Sequence, residues 1–314
     1  MSLVECIDAY VALKRSLGMR FRSEAELLRA FSRTIGPLDL AAVTPDAVRA
    51  FIAGSGPVTA FWRQKWVILR GFYRFALSRG FATASPVPVT LPQLPPPLTP
   101  YIYSSEELTR LLAATDTLQE PRSPLRTLTF RTLLLLLYGT GMRIGEALSL
   151  TLPDIDVGQR LVTIRDAKFF KSRLVPTGPQ LTHALAVYVT QRRHLPLPAG
   201  EASTVFATRT GQALCYDVVN LLFRRVRRRA GIRREAGARY QPRLHDLRHT
   251  AAVHRLIAWY RAGADVQRLL PHLATYLGHV DIASTQRYLT MTPELLREAS
   301  HRFEQYAQPE ASHE

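Results

Sequence analysis

The chain is short of cysteine, of acid and of long apolar runs. Cys6 and Cys215 are its only cysteines among 314 residues, too few for a disulfide framework or a thiolate zinc cluster. A reducing cytosol is therefore the expected setting. The longest apolar run, "LLLLLY" at 133–138, falls far short of the roughly 20 residues that span a bilayer. It reads instead as a buried core helix. The first twenty residues are amphipathic and carry acids, with no basic stretch leading into an apolar one, so no signal peptide is expected. Acids number 25 against 41 lysines and arginines, a net charge of +16. That excess points to a polyanionic partner, most often nucleic acid, with an anionic membrane surface as the competing reading. What is plentiful is apolar residue, 46% of the chain, enough for a folded core.

"LPQLPPPLTP", 91–100, places five prolines in ten residues and can be neither helix interior nor central strand. It divides the chain into a domain at 1–90, a linker at 91–100, a larger domain at 101–307 and a tail at 308–314. Apolar spacing before the linker predicts helices over 3–17, 23–35, from Thr44–Pro45 through Ile52, and over 59–80. The last of these carries Arg63, Lys65, Arg70 and Arg74 between its aromatic residues, a candidate phosphate-binding face. After the linker, Ser104 and Glu107 form a capping-box pattern. Helices are expected at 123–139, 144–150, 179–193, 215–230, 244–261, 265–277, 282–291 and 293–306. The period shifts to two at 159–166 and 172–177, a hairpin whose turn holds Lys168 and Lys171. The fold class is thus mainly α with one small antiparallel sheet. Nine arginines between 220 and 245 alternate with apolar residues. They read as a basic folded face, with Arg224, Arg225 and Arg228 as candidate DNA contacts, rather than as a solvated tail.

"HDLRHT", 245–250, sets His245 and His249 four apart with Arg248 between them. A zinc-protease helix would need glutamate after the first histidine and a third ligand downstream. Asp246 stands in the glutamate's place, and Arg248 would repel a divalent metal. An anion suits the stretch better, and other segments agree. "TGMRIGEAL" opens a helix after a glycine turn with Arg143, and Glu146 lies on the same side three residues on. "YLGHVDIASTQRY" supplies His279 and Tyr288. Each of these residues alone has an ordinary reading as surface charge or packing.

Taken together, "TGMRIGEAL", "AKFFKSRLVP", "HDLRHT" and "YLGHVDIASTQRY" stand in the order and at about the spacings of one family. Over roughly 104–306 the chain resembles the tyrosine recombinases of the phage-integrase and Xer type, and the N-terminal bundle resembles that family's SAM-like core-binding domain. The segment "WYRAGADVQRLLPHLATYLGH" is longer than the family's usual path to the Leu-Gly-His turn.

The resemblance implies attack by the Tyr288 oxygen on a DNA phosphodiester, giving a 3′-phosphotyrosine and a free 5′-hydroxyl, with neither metal nor cofactor. Arg143 and Arg248 would clamp the non-bridging oxygens, as planar bidentate donors do best; each such donor is worth about 3–4 kcal/mol in other sites. His245 would accept the tyrosine proton and His279 would donate to the phosphate. Lys168 would protonate the leaving oxygen, with Lys171 an open alternative. Glu146 would orient the arginines, and His249 would support or pack. The family also implies two domains closing round double-stranded DNA, a homo-tetramer on paired sites, companion recombinases in some systems, and a bacterial cytoplasmic, nucleoid-associated setting. It further implies that the last helix, with its stripe of Leu295, Leu296, Ala299, Phe303 and Tyr306, docks onto a neighbouring protomer. Truncation after Met291 should then leave a folded protein. A type IB topoisomerase and a catalytically silent DNA-binding regulator are the alternatives. The silent regulator is expected to lack at least one of the six catalytic residues, and none is missing.

Overall fold

The computed structural model describes residues 1–90, 93–96, 98–165, 172–235, 238 and 240–307. Lys168, Lys171 and the 308–314 tail lie outside the described residues. The chain divides into two compact units, Met1–Leu98 and Thr99–Glu314.

The first unit is a four-helix bundle. Helix α1 (Leu3–Ser16) starts at a capping box in which Ser2 and Glu5 satisfy each other's backbone N–H groups. Helix α2 spans Arg22–Ile35. Helix α3 (Pro45–Ala53) begins as its sequence predicts, with Thr44 accepting from Ala47 N–H and Pro45 in the first turn. Helix α4 (Ala60–Ser78) is the longest and turns Trp66, Leu69, Phe72 and Tyr73 inward against Ile7, Leu28, Phe31 and Ile52. The Trp66 indole N–H donates to Pro88 O at 2.7 Å and ties the segment after α4 back onto it.

Lys65 has a partner within the bundle. Its ammonium donates to Phe51 O at 2.6 Å, at the end of α3, and sits 4.6 Å from the centre of the Phe51 ring. Partial burial lowers its pKa. It is half-buried, whereas Arg63, Arg70 and Arg74 are exposed on the same helix.

The second unit is mostly helical. Helix α5 (Ser105–Ala113) carries the expected Ser104–Glu107 capping box. Helix α6 (Arg126–Thr140) holds the apolar run, with Leu133, Leu134, Leu136 and Leu137 all buried. It starts later than its periodicity suggests, because Arg126 N–H closes a turn onto Ser123 O just after Pro124. No helix among the described residues is long and apolar enough to cross a membrane. Helix α7 (Ile144–Ser149) follows one turn later.

The sheet is antiparallel in the order β1 (Ile155–Asp156), β2 (Leu161–Ile164), β3 (Arg173–Pro176). The register pairs Leu161 with Pro176 and Ile164 with Arg173. Strand β2 is shorter than 159–166 because Gln159 N–H is captured by Asp156 Oδ1 at 2.8 Å and Arg160 turns the chain at φ 55°. The two-residue β1 has no alternation for a pattern to reveal.

Helices α8 (Pro179–Arg192), α9 (Tyr216–Arg229), α10 (Asp246–Arg261) and α11 (Val266–Leu277) match their expected spans closely. The helix expected at 282–291 does not run through. It is one turn of α-helix, α12 (Ala283–Gln286), followed by a 3₁₀ turn at Arg287–Thr290 whose buried residue is Tyr288.

The last helix, α13 (Pro293–Ala307), packs on its own unit. Leu295 is buried against α10, Arg302 donates to Gly263 O and Ala264 O, and Arg261 pairs with Glu294 and Glu298. In the single chain the helix thus takes the packing that competes with docking onto a neighbouring protomer. Of the stripe, Leu296 and Phe303 remain exposed.

Candidate active site

Four turns from three separate regions of the chain converge on one cavity of about 210 Å³. Arg143, His245, Arg248, His249, His279, Ser284, Arg287, Tyr288 and Met291 line it.

The first turn is Gly141-Met142-Arg143, between α6 and α7. Gly141 sits at φ 61°, a conformation that favours glycine, and a Cβ there would lie 2.6 Å from Leu277 Cδ2, which would have to shift. Arg143 occupies the N-cap of α7, where its backbone N–H and its Nη1 donate to the two oxygens of Glu146, each at 2.9 Å. Its Nη2 reaches Gly278 O at 3.1 Å, across the cavity.

The second turn is the start of α10. Asp246 is 1% exposed and is held by the Arg243 backbone N–H and guanidinium, both at 2.8 Å. That pairing takes up the one acid that a metal would want beside His245. Among the described residues no three of His, Cys, Asp and Glu come together as a metal site. His245 and His249 do share a face, their rings 4.9 Å apart edge to face. Arg248 is 3% exposed and donates Nη1 to Gly141 O at 2.7 Å, while its Nη2 is buried without a partner.

The third turn ends α11. Gly278 adopts the left-handed conformation at φ 71°, and its neighbour's backbone N–H returns to Ala274 O. The lengthened segment before His279 is thus the end of α10, a turn, and α11, which is capped by Asp265 at one end and Gly278 at the other and has Pro271 inside it. His279 Nδ1 lies 2.6 Å from the hydroxyl of Thr285, which is fully buried. That leaves Nε2 as the nitrogen available to a ligand.

The fourth is the 3₁₀ turn that carries Tyr288. The phenol ring, 3% exposed, stacks on His279 at 6.0 Å between centres and meets His249 at 5.6 Å.

The electrostatics favour an anion. Glu146 is buried, which works against its charge, but hydrogen bonds from Arg173 and the Arg143 backbone outweigh that and hold its pKa low. Burial lowers Arg248 to about 10, with Arg143 adding repulsion. Burial followed by Arg248 and Arg143 brings His279 down to about 4, and burial followed by His245 does the same to His249. His245 is lowered too, by partial burial and then Arg248. Burial raises the Tyr288 phenol, and Arg248 pulls the other way. The cavity therefore has excess positive charge, neutral imidazoles and two buried polar atoms without a hydrogen-bond partner, Arg248 Nη2 and His249 Nδ1. A phosphate answers all three.

Five of the six catalytic candidates meet in this cavity. The sixth, Lys168, lies outside the described residues, as does its alternative Lys171. Glu146 touches both Arg143 and a residue that the sequence reading passed over. Arg173, at the start of β3, donates Nη2 to Glu146 Oε2 at 2.7 Å and is only 10% exposed. Its signal was the strand alternation, which sets it in phase with buried Val175. Thr285 was missed as well, since a threonine in a short helix announces nothing. Of the arginines on α9, Arg224 and Arg228 are exposed. Arg225 is exposed too but donates to Thr117 O at 3.1 Å.

Comparison with known proteins places the chain in a family. Residues 102–294 match the model of the phage integrase family. A "Putative integrase/recombinase" of Sinorhizobium fredii is 35% identical over 96% of this chain and 96% of its own length. Tyrosine recombinase XerC of Oceanobacillus iheyensis is 31% identical over 89% of this chain and 87% of its own. Among solved structures, a lambda integrase tetramer bound to a Holliday junction superposes with a TM-score of 0.65 at 18% identity, covering 92% of this chain and 77% of that one. At that identity the likeness is one of fold.

Proposed function

This chain belongs to the phage integrase family, and from that premise we propose that Tyr288 is the nucleophile with which it cuts and rejoins duplex DNA. It is a tyrosine-type site-specific recombinase. The Tyr288 oxygen forms a bond to the scissile phosphorus as the bond to the 5′-oxygen breaks, which leaves a 3′-phosphotyrosine. His245 takes the phenolic proton, and Lys168, or Lys171 in its stead, gives one to the departing oxygen. Arg143, Arg248 and His279 Nε2 hold the non-bridging oxygens and stabilise the charge that develops on them. A 5′-hydroxyl from the same or a partner strand reverses the step. The bond energy stays in the phosphotyrosine, so neither ATP nor metal takes part.

The observation that carries this reading is Arg248. A guanidinium at 3% exposure, with the Arg143 charge beside it, is a costly cation that calls for an anionic partner. A bound phosphate oxygen removes that cost.

The 1–90 bundle serves as the core-binding domain, and 101–307 as the catalytic domain. Arg63, Arg70 and Arg74 on α4, with Arg224 and Arg228 on α9, contact DNA phosphates. The working unit is a homo-tetramer on paired sites in the bacterial cytoplasm, at the nucleoid, and its task is the integration, excision or transposition of a mobile element.

The test is covalent capture. The protein is incubated with a randomised pool of nicked duplexes, and denaturation-resistant adducts are recovered and sequenced. The unsubstituted protein should yield an adduct in excess chelator, and Tyr288→Phe should yield none. An adduct with Tyr288→Phe, or one that needs metal, refutes the assignment.

A further inference from the structure

We propose that Arg173 is a positioning residue for strand cleavage, aligning Arg143 and His279 through Glu146 and the turn at Gly278. The proposal rests on the recombinase reading of the cavity and adds to it a residue that the reading does not use.

The geometry is specific. Both oxygens of Glu146 are shared between two arginines. Oε1 accepts from Arg143 Nη1 at 2.9 Å and Arg173 Nη1 at 3.3 Å; Oε2 accepts from the Arg143 backbone N–H at 2.9 Å and Arg173 Nη2 at 2.7 Å. The carboxylate is 8% exposed, so little solvent is available to replace either partner. Without Arg173 it keeps the Arg143 bonds alone, in a place where an under-satisfied charge is expensive. Arg143 would then have to move toward it and away from the cavity.

Arg173 also grips the turn that presents His279. Its Nε donates to Tyr276 O at 3.1 Å, and its guanidinium lies so close to Gly278 that a Cβ there would sit 2.6 Å from Nη1. Arg143 Nη2 holds Gly278 O from the other side at 3.1 Å. The residue that follows is His279, whose ring stacks on Tyr288. One planar fork on β3 thus sets the carboxylate that aims Arg143 and the backbone that aims His279. Arg173 does not itself line the cavity. A lysine would retain the charge, but its single ammonium nitrogen cannot stand where Nε, Nη1 and Nη2 stand together.

The experiment measures the rate of phosphotyrosine formation at saturating DNA, using a nicked duplex recovered by covalent capture on the unsubstituted protein. Arg173→Lys should melt within a few degrees of the parent and bind that duplex with unchanged affinity, yet form the adduct about 10- to 100-fold more slowly. Losses of this order accompany small misplacements of reacting groups. A double-mutant cycle distinguishes positioning from general weakening. If Arg173 acts through Glu146, adding Arg173→Lys to Glu146→Gln should slow the reaction little further. The proposal is overturned if Arg173→Lys reacts within threefold of the parent. It is overturned equally if the two losses multiply in full, or if the variant does not fold, since the side chain would then be a requirement of the fold. An adduct that the parent forms and Arg173→Lys forms at the same rate refutes this proposal alone. No adduct from the parent refutes the recombinase reading and this proposal with it.

Discussion

Arg248→Met should leave the free protein about as stable as the parent while slowing cleavage by orders of magnitude. Burial depresses the Arg248 pKa from 12.5 to about 10. At about 1.4 kcal/mol per pH unit, holding that charge costs on the order of 3 kcal/mol. Against this stand the charged hydrogen bond from Arg248 Nη1 to Gly141 O at 2.7 Å, worth about 1.5–3 kcal/mol, and the contact of Arg248 with the Tyr288 phenol. The two sides are of similar size, so removing the guanidinium should change stability little, with methionine retaining much of the apolar stem. For a unit of this size the melting temperature should move by no more than about 4 °C. Cleavage should fall by about 10²–10³-fold or more, the loss that follows removal of one preorganised donor. Thermal melts of the free full-length chain and covalent capture on the recovered duplex measure the two effects. A second melt with the duplex present should raise the parent more than the variant, because only the parent has the buried cation for phosphate to neutralise. A fall of more than about 4 °C in the free variant would refute the reasoning, for Arg248 would then be a structural cation and not one held for a ligand.

The same charges predict acid sensitivity. His279 and His249 are lowered to about 4 in the fold, whereas unfolded histidine titrates near 6.5. The unfolded chain therefore binds more protons between these values, so the stability is fully present above about pH 6.5 and is lost as pH falls toward 4. Melting of the free protein should decline across this window, less steeply in His279→Gln, and a flat profile between pH 7 and 5 would contradict the burial argument. Truncation after Met291 should lower the melting temperature, because it removes Leu295 from the core and the Arg302 bonds to Gly263 O and Ala264 O. Phe303→Ala, at 73% exposure, should leave melting unchanged and weaken only assembly on DNA. A truncated chain that melts like the parent would show that α13 contributes nothing to its own unit.

The sequence by itself determined what rests on local chemistry. The capping box at Ser104–Glu107, the Thr44–Pro45 start of α3 and the glycine that ends α11 each declare a boundary within four residues, and the structure has all of them. Helical periodicity located α8 to α11, and four motifs together named the family. Local signals reach no further than a turn or two of chain. The arginine cluster is built from bonds between residues far apart, such as Arg143 to Gly278 at a separation of 135 and Arg248 to Gly141 at 107. No periodicity encodes such pairs. Tertiary packing alone decided that Glu146 serves Arg173 as well as Arg143, and that Lys65 turns inward to the end of α3. It also decided that the helix around Tyr288 tightens into a 3₁₀ turn and that α13 folds back on its own unit. In each case a charged or aromatic group found a partner that only the folded chain brings within reach, and that bond outweighed the local preference read from the sequence.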